Sequence, residues 1–493
     1  MPKITIEKAS NIHIRCFSEP AVEQELCDYF TYSVPGAQFT PQYRSRMWDG
    51  KIRQYDRIRH TLYLGLYRYV ERFAVERGYE IECKDLVVID RKIPFEEVEN
   101  WVNSLKLASK GQKLSSREYQ VEAIHKAIND ERTLLVSPTA SGKSLIIYST
   151  LRYLLNQGKK AIIIVPTTSL VEQLYKDFED YSTINGWNVE DSVQKLYSGF
   201  TKDISKQVLI TTWQSVYKQP KAWFAQFDVC FGDEAHQFKA KSLTAIMEKC
   251  TEAKYRMGTT GTLDGTQTHQ LVLEGLFGPV HKVTTTKDLI DSNQLAKLDI
   301  KMLLLKYKEE HCKEISKLKY QDEIDFIVRY TPRNNFISNL ALDQDGNTLV
   351  LFNYVEKHGK PLHNILNEKL KGKKRRLFYV SGETDVDTRE SVRSITEKEN
   401  DAIIVASLGT FSTGINIRNL HNIIFASPSK SQIRVLQSIG RGLRKSDRDT
   451  QVFDIADDLH WKTKKNYTLN HAAERIKIYS KEKFDYELFE INI

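Results

Sequence analysis

The sequence predicts two α/β units in tandem, each built on a parallel sheet, with a small α+β domain before them and a short helical tail after them. From about residue 113, short apolar strands alternate with amphipathic helices, which is typical of parallel strands joined by crossover helices. The alternation occurs twice, separated by a polar stretch around 284–301. Residues before 113 mix strands and helices without that regularity, so we predict a separate domain there.

The bulk composition is that of an ordinary globular protein. Of the 493 residues, 41% are hydrophobic, which is ample for a core, and the length suggests about three domains. Lysine and arginine number 72 against 64 acidic residues, and the resulting charge of +8 fits a polyanionic partner without requiring one. The six cysteines form no CxxC pair and no Cys/His cluster, which predicts free thiols in a reducing compartment.

No segment of the sequence predicts export or membrane insertion. The first ten residues are too polar for the apolar core of a secretory signal. The longest aliphatic runs, such as Ala161–Val165, have the length of a core strand and are far short of a membrane span. We therefore expect a cytoplasmic protein with no membrane partner.

The predicted domain boundaries follow the change in pattern. The small α+β domain covers residues 1–105, with a strand around 12–16, a helix starting at Pro20 and a second helix ended by Gly78. The first α/β unit covers 113–295, with strands at 134–136, 161–165, 208–210 and 229–231. The second covers 300–455, with strands at 348–352, 377–380, 402–406 and 422–426. Residues 456–493 are predicted to form the helical tail.

A phosphate-binding loop follows the first strand of the first α/β unit and opens a helix. It comprises Ser137, Pro138, Thr139, Ala140, Ser141, Gly142, Lys143 and Ser144, and departs from the usual pattern only in Ser137, which replaces the first glycine. Such a loop directs backbone amides toward a phosphate at a helix N-terminus. Lys143 is predicted to neutralise the β- and γ-phosphates of ATP, and the Ser144 hydroxyl to ligate Mg²⁺.

Two adjacent carboxylates end the strand at 229–231, in the sequence Gly-Asp-Glu-Ala-His at 232–236. The carboxyl ends of parallel strands are where ligands bind in this type of sheet. Asp233 is predicted to hold Mg²⁺, and Glu234 to act as the general base for the attacking water. Either acid alone would be interpreted as a solvated turn, but together, downstream of a phosphate loop, they predict a nucleoside-triphosphate hydrolase.

The second α/β unit contains a candidate arginine finger in the sequence QSIGRGLR at 437–444. Gln437, Arg441 and Arg444 are spaced i, i+4 and i+7, so they share one face of a helix. Guanidinium groups on that face can stabilise the charge on a transferring γ-phosphoryl group. The alternative is a basic solvated helix, which the phosphate loop upstream makes less attractive.

Together, these motifs resemble those of superfamily 2 helicases over roughly residues 113–455. The resemblance implies two RecA-like motor domains, ATP and Mg²⁺ as cofactors, and catalysis by Lys143, Asp233, Glu234, Gln437, Arg441 and Arg444. It identifies Gln120 as the adenine reader and places Gly414 and Asn416 at the nucleotide, although many family members carry Asp where this chain has Asn416. ATP would bind between the two units, and closure and release would drive movement along nucleic acid.

The same resemblance implies contacts with the nucleic-acid backbone, which are largely independent of base sequence. In this chain they fall on Pro166, Thr167, Thr168, Thr212, Trp213, Gln214, Ser381, Gly382 and Thr413. The segment 260–262, Thr-Gly-Thr, stands where the family couples ATP to nucleic acid.

Residues 40–60 form a strip of basic and aromatic side chains in the small domain. The strip contains six Lys/Arg residues and two acidic residues, and Tyr43, Trp48 and Tyr55 lie between them in the sequence. This combination suits phosphate neutralisation with base stacking, and we predict a nucleic-acid contact through Arg44, Arg46, Trp48 and Arg53. The alternative is a core Trp48 beside solvated arginines. The Asp-Gly pair at 49–50 predicts a hairpin turn, and hence a β-ribbon.

With this strip ahead of the motor motifs, the chain resembles the UvsW-type recombination helicases of tailed bacteriophages. That resemblance implies a DNA helicase or translocase that regresses forks, migrates junctions and unwinds RNA–DNA hybrids in recombination, repair and replication. We expect a monomer in the host-cell cytoplasm, with single-strand-binding or recombination proteins as candidate partners. An RNA helicase and the motor subunit of a restriction-type translocase remain alternatives, because the motor motifs contact backbone and do not separate DNA from RNA.

Overall fold

The computed structural model describes residues 2–84, 92–197, 203–239, 241–263, 267–414, 417, 419–428, 439–440 and 449–493. The chain divides into two compact units. The first contains residues 1–137 and 142–283, and the second contains residues 284–493 together with 138–141. In the described residues, no helix is long and apolar enough to cross a membrane.

The small N-terminal domain is a four-stranded mixed sheet with two helices packed on it. Its elements are β1 (Lys3–Lys8), β2 (His13–Phe17), α1 (Pro20–Tyr29), β3 (Thr31–Ser33), α2 (Pro41–Arg44), β4 (Lys51–Arg53), β5 (Thr61–Tyr63), α3 (Tyr67–Arg77) and β6 (Glu80–Lys84). The sheet order is β5-β2-β1-β6, with β1 antiparallel to β2 and parallel to β6. Alternate side chains of β1 and β2 are buried against α1 and α3, as the apolar periodicity predicts.

The predicted β-ribbon over residues 40–60 is wrong. Strand β4 pairs with β3, on the far side of a long connection, and residues 41–44 form a helical turn. Pro41 stands at the first position of that turn, and the Thr40 side chain accepts a hydrogen bond from the backbone N–H of Tyr43. Local capping chemistry therefore favours a helical turn at the start of the strip, and the Asp-Gly pair at 49–50 only precedes β4.

The first α/β domain contains a seven-stranded sheet in the order β11-β12-β10-β13-β14-β9-β15. Helix α4 (Phe95–Ser104) and the short pair β7 (Ala108–Ser109) and β8 (Gln112–Lys113) precede it. Its elements are α5 (Glu118–Asp130), β9 (Arg132–Val136), α6 (Lys143–Leu155), β10 (Ala161–Val165), α7 (Thr168–Ser182), α8 (Val189–Ser192), β11 (Val193–Leu196), β12 (Val208–Thr212), α9 (Trp213–Val216), α10 (Lys221–Phe224), β13 (Val229–Asp233), α11 (Lys241–Lys249), β14 (Tyr255–Thr260), α12 (Gln267–Phe277) and β15 (Val280–Lys282). The strand pairs are parallel, and β10 is buried on both faces, which is why its sequence is continuously apolar.

The second unit contains another seven-stranded parallel sheet, in the order β18-β19-β17-β20-β21-β16-β22. Its elements are α13 (Thr286–Asp291), β16 (Leu298–Lys306), α14 (Glu309–Ile315), α15 (Tyr320–Arg329), α16 (Thr331–Asp343), β17 (Thr348–Phe352), α17 (Lys360–Lys369), β18 (Arg376–Val380), α18 (Val386–Lys398), β19 (Ala402–Ser407), α19 (Leu408–Gly414), β20 (Asn422–Phe425), β21 (Thr450–Asp458), α20 (Tyr467–Lys481) and β22 (Tyr486–Asn492). The sequence therefore predicts the fold class correctly: two parallel sheets in tandem, preceded by an α+β region.

Two details of the second unit differ from the sequence-based expectation. The polar stretch at 284–301 is not only a linker, because it holds α13 and the start of β16. The tail at 456–493 contains the helix α20 but also β22, which joins the sheet parallel to β16 and forms its edge. A strand exposed along most of its length shows little apolar periodicity, so the pattern did not predict it.

The N-terminal domain packs directly on the first α/β domain. Leu271 of α12 is part of the apolar core of the N-terminal domain. Asn11 donates from its side-chain amide to the backbone oxygen of Thr251 at 3.2 Å, and the Tyr63 hydroxyl donates to the carboxylate of Glu248. These contacts, which join distant parts of the sequence, make the two domains one compact unit.

Candidate nucleotide and nucleic-acid site

Parallel pairing brings the predicted motifs of the first α/β domain to one edge of its sheet. Within the sheet, Val136 at the end of β9 pairs with Thr260 of β14, and Thr259 pairs with Asp233 of β13. On the other side of β13, β10 ends at Val165, which pairs with the last residue of β12. The phosphate loop, the acidic pair and the predicted backbone-contacting segments therefore all follow the carboxyl ends of neighbouring strands.

The phosphate loop is shaped by two residues with left-handed backbone conformation, Ala140 (φ 66°) and Gly142 (φ 87°). The positive φ of Gly142 favours glycine, and a Cβ there would lie 2.3 Å from the side-chain nitrogen of Gln120. Gln120 is itself buried, and its side-chain oxygen accepts a hydrogen bond from the backbone N–H of Arg117 at 2.9 Å. The residue predicted to read adenine thus packs against the loop that is predicted to bind the phosphates.

Lys143 begins α6, and its ammonium group donates to the backbone oxygen of Ser137 at 3.2 Å. A Cβ on Gly261 would lie 3.6 Å from the same ammonium group, so the lysine extends toward the segment at 260–262. An ammonium group held by a single carbonyl can exchange that contact for a phosphate oxygen. The next residue, Ser144, has its hydroxyl oxygen 2.8 Å from the hydroxyl oxygen of Tyr181.

The acidic pair carries an excess of negative charge. Oδ1 of Asp233 accepts hydrogen bonds from the Thr259 hydroxyl at 2.7 Å and from the backbone N–H of Glu234 at 2.9 Å. Burial, followed by the neighbouring Glu234 carboxylate, raises the pKa of Asp233, and Lys143 and these hydrogen bonds only partly oppose the shift. The half-buried carboxylate of Asp233 and the hydroxyl of Ser144 on the phosphate loop are oxygen donors of the kind that a hard divalent cation prefers, and a bound cation would relieve this repulsion.

Two contacts that the sequence analysis did not predict surround the acidic pair. Nδ1 of His236 lies 3.0 Å from the Thr260 hydroxyl and 3.4 Å from a carboxylate oxygen of Glu234. The histidine therefore joins the acidic segment to the segment at 260–262, and its place in the Asp-Glu-Ala-His motif was the available signal. Glu234 also has a positive φ of 50°, a strained conformation of the kind that is concentrated at functional sites.

The predicted nucleic-acid contacts of the first domain fall into two groups. Thr168 is exposed in the first turn of α7, and Pro166 and Thr167 are half-buried before it. Trp213 is half-buried and Gln214 is exposed at the start of α9. These five residues lie on neighbouring strand ends of the sheet.

Thr212 is different from this group, because it is buried and its hydroxyl lies 2.9 Å from the hydroxyl of Ser215. The Thr212 side chain stabilises the turn that positions Trp213 and Gln214. Its contact with nucleic acid stays a prediction.

In the second unit, strands β18 and β19 pair in parallel, so Ser381 and Gly382 follow a strand end beside the start of α19. Gly382 is exposed, whereas Ser381 is buried and its backbone N–H donates to the Thr384 hydroxyl at 3.0 Å. Arg389 also donates to the backbone oxygens of Ser381 at 3.3 Å and of Gly382 at 3.0 Å, so the exposed Gly382 is the part of this turn that is open to a ligand. Gly414 is the last residue of α19, whereas the side chain of Thr413 and the whole of Asn416, Gln437, Arg441 and Arg444 lie outside the described residues. The roles of all six residues stay predictions.

The side chains of the basic strip in the N-terminal domain differ in their exposure and in the contacts that they make. Arg44, Arg46 and Arg53 are all exposed, but Arg53 forms an ion pair with Asp49. Trp48 is half-buried and outside the apolar core, and its indole N–H donates to the backbone oxygen of Lys51 at 2.8 Å. The alternative of a core tryptophan is therefore wrong.

Tyr55, the third aromatic residue of the predicted strip, belongs to the core instead. It is buried in the apolar cluster of the domain, and its hydroxyl donates to the backbone oxygen of Cys16 at 2.8 Å. The exposed apolar side chains nearby are Phe39, Met47 and Ile58.

Known families match three successive parts of the chain. Residues 3–84 match "DNA helicase UvsW, N-terminal", residues 113–265 match "Type III restriction enzyme, res subunit", and residues 332–446 match "Helicase conserved C-terminal domain". The chain is 34% identical to the ATP-dependent DNA helicase uvsW of Enterobacteria phage T4, over 98% of both chains. The protein belongs to the UvsW family of superfamily 2 helicases.

A solved UvsW structure agrees with this membership, and a second sequence relative and a second solved structure are more distantly similar. The crystal structure of T4 UvsW matches 99% of both chains at 31% identity, with a TM-score of 0.53. A DNA 3′-5′ translocase, XPB2 of Sulfurisphaera tokodaii, is 22% identical over 83% of this chain and 92% of its own. The S. cerevisiae Dbp5 structure bound to RNA is 14% identical with a TM-score of 0.51, a likeness of fold alone. As a UvsW helicase, the protein is an ATP-hydrolysing DNA helicase that binds nucleic acid.

Proposed function

We propose that this helicase remodels branched DNA: it regresses forks, migrates junctions and unwinds RNA–DNA hybrids during recombination, repair and replication. The proposal rests on the position and surface of the N-terminal domain. This domain packs on the first motor domain and exposes Arg44 and Arg46 on a turn rich in apolar side chains. A helicase acting on a branch needs a contact with a second arm, besides the strand on which the motor moves. The packed domain supplies a surface of suitable charge for that contact.

The nucleotide chemistry follows from the motif residues. Lys143 would neutralise the β- and γ-phosphates of ATP, and Ser144 and Asp233 would hold Mg²⁺, which neutralises developing charge on the phosphates when it is bound. Glu234 would take the proton of the attacking water. Gln437, Arg441 and Arg444 are the proposed stabilisers of charge on the transferring phosphoryl group, on the strength of their helical spacing.

The proposed nucleic-acid path uses the carboxyl ends of both sheets. In the first domain the candidates are Thr168 and Gln214, which are exposed on neighbouring strand ends, together with the half-buried segments beside them. In the second unit the candidate is the backbone of Ser381 and Gly382. Because these groups are hydroxyls, amides and main chain, they suit phosphodiester contacts without base preference.

A comparison of DNA structures tests the proposal. ATP hydrolysis would be measured with single strands, duplex, fork, four-way junction and RNA–DNA hybrid, and product formation followed on gels. We expect the fork and the junction to stimulate hydrolysis more than duplex of the same length, and to be converted into regressed or migrated products.

The control is Glu234→Gln, which should bind all these structures and convert none, because the general base is lost while the metal ligand remains. Equal stimulation by duplex and branched DNA without conversion would favour the restriction-type translocase and overturn the proposal. Stimulation by RNA alone would favour the RNA helicase.

A further inference from the structure

The hydroxyl of Ser144 is held by a tyrosine from another helix. Ser144 is the second residue of α6, and Tyr181 lies in the last turn of α7, 37 residues later. Their hydroxyl oxygens are 2.8 Å apart, the distance of a good O–H···O hydrogen bond. Tyr181 is not among the motif residues identified from the sequence, and its position in an otherwise ordinary amphipathic helix gives no sequence signal.

The ring of Tyr181 is fixed by an aromatic cluster behind the phosphate loop. It packs edge-on against Tyr148, one turn along α6 from Ser144, with ring centroids 5.5 Å apart. Tyr148 is fully buried and also packs edge-on against Trp187 at 5.5 Å. Such edge-to-face pairs favour one ring orientation, so the Tyr181 hydroxyl is presented to Ser144 rather than swinging freely.

The hydroxyl of Tyr148 anchors the cluster and does not contact Ser144. It accepts hydrogen bonds from Arg152 at 2.7 Å and from Asn185 at 3.1 Å, and lies 3.2 Å from the hydroxyl of Ser182. The two neighbouring tyrosines therefore have separable tasks: one hydroxyl serves the cluster, and the other serves the phosphate loop.

We propose that Tyr181 is a positioning residue for the magnesium ligand Ser144, an inference that rests on the proposed ATP site. A serine that ligates a cation uses an oxygen lone pair, and its own proton then needs an acceptor elsewhere. The Tyr181 oxygen accepts that proton, which leaves a lone pair of Ser144 directed at the metal. Outer hydrogen bonds of this kind orient metal ligands, and their loss weakens metal binding.

The test is Tyr181→Phe, with Tyr148→Phe as the matched control. Both variants keep the ring and lose one hydroxyl, but only the first removes the hydrogen bond to Ser144. Binding of a fluorescent, non-hydrolysable ATP analogue would be titrated with Mg²⁺, and separately measured in EDTA. We expect Tyr181→Phe to raise the half-saturating Mg²⁺ concentration about tenfold, with binding in EDTA unchanged. Tyr148→Phe should leave the Mg²⁺ dependence unchanged, even if its melting temperature falls.

The Ser144→Ala background separates positioning from packing. There, Tyr181→Phe should have no further effect on the Mg²⁺ titration, because the two residues act as one unit. An effect that persists in this background would show a packing role and overturn the proposal. An unchanged or lower half-saturating concentration in Tyr181→Phe alone would also overturn it, the lower value showing that the tyrosine competes with the metal.

A further variant, Lys143→Ala, tests the site on which the inference rests. It should lose binding of the analogue both with Mg²⁺ and in EDTA, because the lysine neutralises phosphate charge directly. If Lys143→Ala binds the analogue as tightly as the wild type, the proposed ATP site is wrong. If it fails to bind while Tyr181→Phe matches the wild type, only the role of Tyr181 is wrong.

Discussion

At the scale of single residues, Asp233 shows that the proposed nucleotide site lowers the stability of the folded protein. Its carboxyl is half-buried beside Glu234, and both the loss of solvent and that neighbour raise its pKa above the ordinary value for aspartate. The folded protein therefore binds this proton more tightly than the unfolded chain does. Ionisation of Asp233 therefore lowers the free energy of unfolding. This loss is complete above the raised pKa, and it disappears as the pH falls through that pKa.

Asp233→Asn should therefore stabilise the nucleotide-free protein while it abolishes metal binding. Asparagine can keep an oxygen in place for the hydroxyl of Thr259 and the N–H of Glu234, and it carries no charge. We expect a melting temperature above that of the wild type at pH 8, and a difference that shrinks as the pH is lowered. The stabilisation by Mg²⁺ and nucleotide together should be lost.

Asp228→Asn is the matched control, since Asp228 precedes the same strand at its opposite end and accepts a hydrogen bond from the backbone N–H of Lys160. It should keep the Mg²⁺-dependent stabilisation. A lower melting temperature for Asp233→Asn at pH 8 would contradict the assigned electrostatic strain.

The motif spacing placed Lys143 and Asp233 correctly at the carboxyl edge of the first parallel sheet, and their roles in nucleotide chemistry stay predictions. It did not predict Tyr181, because a contact between two helices far apart in the chain leaves no local pattern. Thr212 was placed correctly at a strand end, but whether its side chain faces a ligand or the turn depends on burial. Tyr55 shows the same limit, since alternation with basic residues does not separate a stacking ring from a core ring.

At the scale of secondary-structure elements, α12 connects the N-terminal domain to the acidic motif. Its Leu271 enters the apolar core of the N-terminal domain, and Phe277 at its other end packs edge-on against Phe238, just after the acidic pair. A Cβ on Gly232 would lie 2.6 Å from the Phe277 ring. One helix therefore contacts both the accessory domain and the nucleotide site.

At Gly65 the backbone of the N-terminal domain comes very close to α12, and a substitution there tests this packing. A Cβ there would lie 2.0 Å from the backbone oxygen of Glu274 and 2.7 Å from that of Gly275, and backbone cannot move aside as a side chain can. Gly65→Ala should force the domain away from α12 and destabilise the protein by about 1–3 kcal/mol, the usual cost of overpacking. Thermal melting and limited proteolysis would measure the change.

Gly275→Ala is the graded control on the facing side of the same contact. The three atoms nearest to its Cβ would belong to the Tyr63 side chain, at 3.0–3.2 Å, which is a looser contact than that of Gly65 with backbone. It should therefore melt between the wild type and Gly65→Ala. Wild-type melting of Gly65→Ala would mean that the packed arrangement of the two domains is not the one in solution.

The sequence predicts an element where burial imposes a periodic or continuous pattern of apolar residues. It does not predict a strand whose pairing depends on residues far away in the chain. The strand β10 has a continuous apolar run and was predicted with its observed bounds. The pairing of β3 with β4 was not, because the partner of a three-residue strand is set by the whole domain. The edge strand β22 lacks the contrast between buried and exposed positions on which periodicity depends.

At the scale of the whole molecule, net charge does not locate the DNA. The excess of +8 is small against 72 basic residues, so affinity must come from where basic groups are grouped and left unpaired. Arg53, an obvious candidate from sequence, is partly neutralised by Asp49, whereas Arg44 and Arg46 are exposed beside Trp48. The structure therefore narrows the proposed second DNA contact to a small part of the predicted strip.

Arg44→Ala with Arg46→Ala should weaken binding to forks and junctions, and should flatten its dependence on salt. Removing one phosphate contact lowers the log–log slope by about one unit, so the slope of the double variant should fall by about two units. Arg15→Ala with Arg68→Ala removes the same charge from exposed positions elsewhere on the domain and should leave the slope unchanged. Hydrolysis of ATP without DNA should be the same in both variants, because the strip is outside the motor motifs.

A slope equal to that of the wild type in the Arg44→Ala, Arg46→Ala variant would make the strip a solvated surface. A slope lowered equally in both variants would mean that the domain attracts DNA by its overall charge, without a defined contact.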